Sequence, residues 1–346
     1  MKKIILLFLI LFSSISIFGQ LDGDGLTPGT AYWGNLNSGT MTWNFTSHPT
    51  GIVYVGQSAL LRRDVLVSGT GRLIIEGGIT VIFNYANSDL RIENGGVLQA
   101  IGTPMDKITF TKSSSSTSWG HLAFQKSPGT SVLDHCIIEN GTAPAIDFSS
   151  GGGIYADCNN LTISNSLIRN NYAQISGGGI YARGSVKIEN CIILSNTAGG
   201  ADVTDGGGGV YIDSGASVAN CTFIDNVSAE LGLGDDIFFA SANATVRNTL
   251  IWRTSTYGFS VYFADSPLSS NLTNCAFYEA WDNTFNEIDP SFFVSSFKLN
   301  PINDADDCPN FINPAGNDYH ILLKSPCVNA GTNQGTPPPP AYDFDG

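Results

Sequence analysis

Residues 207–226 read GGGVYIDSGASVANCTFIDN, and residues 177–196 read GGGIYARGSVKIENCIILSN. The landmarks coincide position for position: three Gly, an aliphatic residue, Tyr, then Asn–Cys, then a closing Asn. Residues 151–171, GGGIYADCNNLTISNSLIRNN, repeat the pattern with one residue more and with Ser166 where the others have Cys. Repetition on this scale is the mark of a solenoid, in which no unit can bury its apolar face alone and stacking of neighbours builds the core.

The register extends in both directions. Aligned on Cys136, Ser166, Cys191, Cys221, Thr249 and Cys275, successive turns are 30, 25, 30, 28 and 26 residues long. Three positions earlier stand Leu133, Ile163, Ile188, Val218, Val246 and Leu272. Two positions later stand Ile138, Ile168, Ile193, Phe223, Ile251 and Phe277. Apolar positions at period two on either side of a short bend describe two strands meeting at a corner. The bend ends in Asn165, Asn190, Asn220, Asn248 and Asn274 in five successive turns. Asn tolerates the left-handed backbone of a tight corner. Its amide can also donate to and accept from the Asn of neighbouring turns, so a structural ladder is expected, with stacking offsetting the cost of enclosing polar groups.

A third strand follows a variable loop. Ile154–Tyr155, Ile180–Tyr181 and Val210–Tyr211 follow the Gly runs, and Ile237–Phe238 and Val261–Tyr262 hold the same place without them. This gives one β-branched and one aromatic column on opposite faces of one strand. Residues 42–132 carry similar apolar strands, at 52–55, 65–67, 73–75, 81–83, 90–92, 97–101 and 108–110, between Gly, Asn or Ser bends. The fold class expected is all-β: a single-stranded parallel β-helix with three short strands per turn and about nine to eleven turns. At about 4.8 Å per turn that is a rod of roughly 45 Å. Right-handedness is expected from the general preference of parallel crossovers.

Composition agrees and closes other classes. Of 346 residues 39 are Gly, and only 13% are charged, about half the usual fraction, which excludes a coiled coil or helical array. With 42% hydrophobic residues the chain has enough apolar surface for a core, so disorder is excluded too. The net charge of −14 is of the wrong sign for nucleic acid, so no nucleic-acid partner is expected.

The first residues read as a cleavable secretory signal over 1–19: Lys2 and Lys3, an apolar run from Ile4 to Ile17, then Gly19. No later stretch is apolar enough for a transmembrane segment. The chain divides into this signal, an N-terminal lead-in at 20–41, the β-helix at 42–278 and a loop-rich segment at 279–346. Cys136, Cys191, Cys221 and Cys275 fall in the repeat register and read as small core residues. Cys308 and Cys327 lie together in the tail, where a disulfide is an open alternative to free thiols.

Phe223-x-x-Asn226, with Ile193-x-x-Asn196 and Ile168-x-x-Asn171 as variants, alternates with the Gly-Gly-Gly-Ile/Val units. This resembles the repeat of the chlamydial-type polymorphic outer-membrane proteins, which are exported right-handed β-helices serving as surface adhesins. Residues 97–110 and 119–124 resemble the early turns of bacterial secreted right-handed β-helix proteins. Asp289–Pro290, residues 318–320 and residues 325–331 are similar to that group's closing segment. The resemblance covers most of residues 70–346 and implies the pectin-lyase-like fold and a bacterial, secreted or cell-surface location. Closing segments of that group run on past Asp343–Phe344–Asp345–Gly346, so a truncated sequence is expected, with any surface-sorting domain beyond it. The resemblance is specific for fold and says little of activity, because this scaffold carries lyases, hydrolases and inert adhesins.

Candidate chemistry is sparse. Two residues beyond the aromatic column stand Asp157, Arg183 and Asp213 on consecutive turns. In a lyase, carboxylates hold Ca²⁺ while Arg or Lys removes the proton beside a uronate carboxylate. The plainer reading, which is preferred, is an ion ladder in which Arg183 separates two carboxylates. Asp235–Asp236 is the one adjacent acidic pair before the tail, but neighbours in a strand point to opposite faces, a poor arrangement for glycoside hydrolysis. Asp22-x-Asp24–Gly25 and Asp304-x-Asp306–Asp307 hint at Ca²⁺ loops yet lack the spaced Glu, so no cofactor is expected. Residues 337–340 are a polyproline spacer. The column Tyr155, Tyr181, Tyr211, Phe238 and Tyr262 is the candidate ligand-binding surface: if outward, its rings make a strip able to pack against sugars; if inward, they are core. The outward arrangement is favoured.

The expectation is therefore an exported, non-enzymatic, monomeric rod that contacts a polysaccharide or a host or cell-surface ligand. The alternative is a polysaccharide lyase or glycoside hydrolase acting on acidic polysaccharide on the same scaffold.

Overall fold

The computed structural model describes residues 21–56, 64–126, 128–143, 149–229, 233–253, 258–299, 311–313 and 318–321. Each turn lays one strand in each of three parallel sheets. The first runs from Gly34–Leu36 to Ala280–Trp281 with ten strands, the second from Thr40–Trp43 to Leu272–Thr273 with nine, and the third from Ile52–Val55 to Phe297–Lys298 with ten. The chain is a parallel β-helix. Its first strands, at 34–36 and 40–43, begin within the stretch 20–41 expected to be a lead-in. Gly34–Asn35–Leu36 carries too little apolar signal to read as a strand, yet it pairs in register with Val65–Val67.

The core is a set of aligned columns. In the second sheet Leu133, Ile163, Ile188, Val218, Val246 and Leu272 point inward, and in the third Ile138, Ile168, Ile193, Phe223, Ile251 and Phe277 do. In the first, Ile154, Ile180, Val210, Ile237 and Val261 form the inner column. Each such burial stabilises by about 1.5–3 kcal/mol. Stacked rings occupy the ends of the core: Tyr32 on Trp43 at 5.3 Å at one end, and Phe239, Phe263 and Phe293 at 4.4 and 5.6 Å at the other.

The corner between second and third sheets explains its residue types. Asn165, Asn190, Asn220, Asn248 and Asn274 all have φ between +49° and +55°. Asn165 Nδ2 donates to Asp134 Oδ1 (2.7 Å), Asn190 Nδ2 to Asn165 Oδ1, and Asn248 Nδ2 to Asn220 Oδ1 (3.0 Å). Asn220 Nδ2 is buried without a partner, so the run is interrupted there. The next position is more than a small core residue. Cys136, Ser166, Cys191, Cys221, Thr249 and Cys275 each donate to the carbonyl two residues back. Ser166 Oγ, Cys221 Sγ and Thr249 Oγ1 also accept the amide N–H of the preceding turn's Cys136, Cys191 and Cys221. Thiol and hydroxyl interchange here because the column asks for a small donor–acceptor. These cysteines and Cys158 are free and buried. Burial raises the thiols of Cys136 and Cys191, that of Cys275 to about 12 and that of Cys158 to about 11. Cys308 and Cys327 lie outside the described residues, as do the signal segment, Asp304, Asp306, Asp307 and residues 337–340.

Candidate functional site

Between third and first sheets the chain makes a second corner, then a two-residue strand. Thr142–Ala143, Tyr172–Ala173, Thr197–Ala198 and Val227–Ser228 form a small fourth sheet beside the Gly runs. At this corner lies a fully enclosed amide ladder made by the Asn of the Ile/Phe-x-x-Asn pattern. Asn171 Nδ2 donates to Asn196 Oδ1 (2.9 Å) and Asn196 Nδ2 to Asn226 Oδ1 (3.0 Å). Each amide donates its second hydrogen to the preceding turn, to Ile138, Ile168 and Ile193 carbonyls at 2.9–3.0 Å. The Gly runs make room for it. A Cβ at Gly179 would lie 3.1 Å from Asn196 and 2.7 Å from the Gly209 carbonyl, and one at Gly178 would lie 2.4 Å from backbone on two sides.

At the lower end of this ladder the register replaces Gly207–Gly208–Gly209 by Gly234–Asp235–Asp236. Both carboxylates cap an edge. Asp236 Oδ1 accepts from Asn226 Nδ2 (2.9 Å), in the place of a next Asn, and Asp235 Oδ1 accepts the Ser228 N–H (2.7 Å), in the place of a next strand. Asp235 is paired with buried Arg253 at 2.8 Å, while Asp236 Oδ2 is buried without a partner. Burial pushes the Asp235 carboxyl up to about 7 and the Asp236 carboxyl to about 8. Asp235 and Asp236 are enclosed, at 3% and 0% exposure, and no substrate reaches them.

The aromatic column stands outward from the first sheet, opposite the aliphatic one. Tyr155, Tyr181, Tyr211 and Phe238 stack at 5.1, 4.8 and 5.1 Å with interplanar angles of 4°, 10° and 8°. Tyr262 follows at 5.3 Å, tilted by 32°, and Trp281 continues the register below it. His121 lies against the upper end, 6.0 Å from Tyr155. Stacking changes what the column can offer. Each ring face is covered by the next ring, so the strip presents edges and phenol hydroxyls to solvent, not flat faces for a sugar to lie on.

The column is also divided. Tyr155, Tyr181 and Tyr211 are half-buried, whereas Phe238 and Tyr262 are 0% and 2% exposed, packed with Leu233, Phe259 and Trp281. Phe238 and Tyr262 therefore leave the candidate contact set, because apolar side chains from non-repeating segments cover them. The reachable strip is Tyr155, Tyr181 and Tyr211. Burial raises all three phenols, Tyr155 to about 12, so each remains a protonated donor.

Asp157, Arg183 and Asp213 are brought together in register on this same outer face. Arg183 Nε lies 3.5 Å from Asp213 Oδ2. Asp157, Tyr181 and Asp213 hold its guanidinium proton more tightly than usual, which opposes a role as base. Asp205, on the 199–206 loop beside the strip, is close enough to add to the upward shift of Tyr211. Sequence reading missed Asp205 and Trp281, though the register after Tyr262 points to Trp281. Upstream, Arg91, Gln125 and Lys126 all bind Glu93, at 2.7, 2.6 and 3.0 Å. Among the described residues no group of three or more His, Cys, Asp or Glu could hold a metal, and no helix is long and apolar enough to cross a membrane.

No curated protein matches the chain. A family model described as a right handed beta helix region matches residues 44–216, half of the chain, including Tyr155, Tyr181 and Tyr211 and the ladder residues Asn171 and Asn196. The parallel three-sheet coil, its repeat register and this match together place the chain in the right-handed β-helix family.

Proposed function

We propose that the protein is an exported, non-enzymatic rod of the bacterial cell surface that contacts carbohydrate through the outer face of its first sheet. The observation that carries this reading is the row of three solvent-reached tyrosines at 5.1 and 4.8 Å, bordered on one side by Asp157, Arg183 and Asp213. Such a row offers one hydroxyl donor per turn to an extended polymer lying along the rod, and polar groups beside it to fix orientation. Export rests on the basic and apolar residues 1–19, and the adhesive role on the likeness of the Gly-run and Phe-x-x-Asn repeats to polymorphic outer-membrane proteins.

The lyase alternative draws less support. Arg183 is held protonated between two carboxylates, and the adjacent pair Asp235–Asp236 is enclosed. The test is retention of the purified chain on a glycan panel, compared with Tyr181→Ala. Retention by the parent that falls at least roughly tenfold in the variant, measured below the variant's unfolding temperature, is the expected result. A parent that retains no glycan sinks the proposal, as does a Tyr181→Ala variant that binds equally well.

A further inference from the structure

The charges around the tyrosine strip narrow the chemistry of what lies on it. Among the described residues of the three turns that expose Tyr155, Tyr181 and Tyr211, the flanking ionic side chains are Asp157, Arg183 and Asp213 on the sheet and Asp205 on the neighbouring loop. Three carboxylates thus stand against a single guanidinium, which is itself engaged with Asp213 at 3.5 Å. The nearest basic residues up the rod offer no relief. Arg91 is bound to Glu93 at 2.7 Å and lies 3.6 Å from Asp64, and Lys126 is bound to Glu93 at 3.0 Å.

Resting on the carbohydrate-contacting role above, we infer that this face takes a hydroxyl-rich glycan without acidic groups and rejects uronate polymers. A polymer running along the rod with an acid on each residue would bring carboxylates beside Asp157, Asp205 and Asp213 on successive turns, with only Arg183 to answer them. Like charges so placed oppose binding, most strongly at low salt. An amine-bearing polymer is drawn by the same surplus of carboxylates and opposed by Arg183 alone, 54% of whose side-chain surface is open, so its retention should weaken as salt rises. Sugar hydroxyls are both donors and acceptors, and the face alternates the two: phenol O–H groups and the guanidinium donate, and the carboxylates accept.

The experiment uses the full mature chain and three soluble probes: a neutral β-glucan, polygalacturonate and chitosan, each followed by affinity electrophoresis at low and at physiological salt. The expected result is retention by the β-glucan, abolished in Tyr181→Ala, with polygalacturonate at least roughly tenfold weaker and the gap narrowing as salt rises. In the double variant Asp157→Asn, Asp213→Asn, the ratio of polygalacturonate to β-glucan retention rises and loses most of its salt dependence. Both side chains are partly exposed, so the fold is retained, and thermal unfolding checks that it is. Polygalacturonate bound as tightly as β-glucan but still dependent on Tyr181, or chitosan retention that does not weaken as salt rises, overturns the inference and leaves the contact face standing. Retention of none of the three, or retention indifferent to Tyr181→Ala, overturns the contact face and the inference with it.

Discussion

Five turns of the first sheet share one register but present two different surfaces. In the turns of Tyr155, Tyr181 and Tyr211 the strand is entered through Gly153, Gly179 and Gly209, and the ring on its outer face meets solvent. In the turns of Phe238 and Tyr262 the same entry position holds Asp236 and Ser260, and the ring is buried under Leu233, Phe259 and Trp281. The difference follows from how the amide ladder ends. While it continues, every turn needs a neighbour without a Cβ. Where it stops, a carboxylate can close it, and the chain below is free to fold over the rings.

The steric half of that comparison gives the largest expected effect. Gly178→Val should cost at least about 3 kcal/mol or prevent folding, because its Cβ meets the backbone of Thr197 and Gly208 at 2.4 Å, and neither strand can move without its neighbours. Asp235 stands two turns below in the same register and carries its Cβ without penalty, since its carboxylate takes the place of a further strand. Thermal or denaturant unfolding of Gly178→Val checks this, and a variant as stable as the parent would break the account of the Gly runs.

The rings should separate in the same way. Tyr262→Ala should cost about 3–5 kcal/mol, as for any large enclosed side chain, while Tyr181→Ala loses a half-exposed ring and should cost about half as much. Equal losses would mean that the two parts of the column are covered alike.

The repeat register, the inner columns and the left-handed Asn corners were all legible in the sequence, because stacking demands the same residue type turn after turn. The outward direction of the aromatic column was favoured there without being decided, since both columns of that strand are apolar. The covering of Phe238 and Tyr262 was not legible, because Leu233 and Phe259 belong to segments with no counterpart in other turns. Asp235 and Asp236 read only as a poor catalytic pair, set aside because strand neighbours point to opposite faces; their capping role was not legible, because a device that ends a repeat occurs once and leaves no period. The Asn of the Phe-x-x-Asn pattern was visible as a family signature, but its burial as the main amide ladder depended on which corner faced inward.

Asp236 provides a pH test of the capped end. Its carboxyl is raised from 3.8 to about 8 by enclosure, with Asp235, Asp225 and Arg253 as its charged neighbours and Asn226 as its hydrogen-bond donor. The folded state therefore holds the proton more tightly than the unfolded one. Its contribution is most favourable below about pH 4 and declines as pH rises towards about 8. Asp236→Asn keeps the acceptor for Asn226 and removes the titration. Its stability should exceed the parent's above that range, by on the order of 2 kcal/mol, and should vary less with pH between the two values. Parallel pH–stability curves for parent and variant would show that the carboxyl is not enclosed as described.

The smallest effect is expected where the exposed half looks most like chemistry. Arg183 sits between Asp157 and Asp213 with more than half of its side chain in solvent, so the ion ladder is screened and contributes at most about 1 kcal/mol. Arg183→Ala should leave thermal unfolding within a few degrees of the parent. It would also place two unopposed carboxylates two turns apart, about 10 Å along the axis and near the screening length of physiological salt. The loss should therefore grow as salt is lowered, and Arg183→Lys should restore most of it. A loss of several kcal/mol that ignores salt would mean that Arg183 is packed into the structure, and the outer face of these turns would then be as closed as that of the turns below.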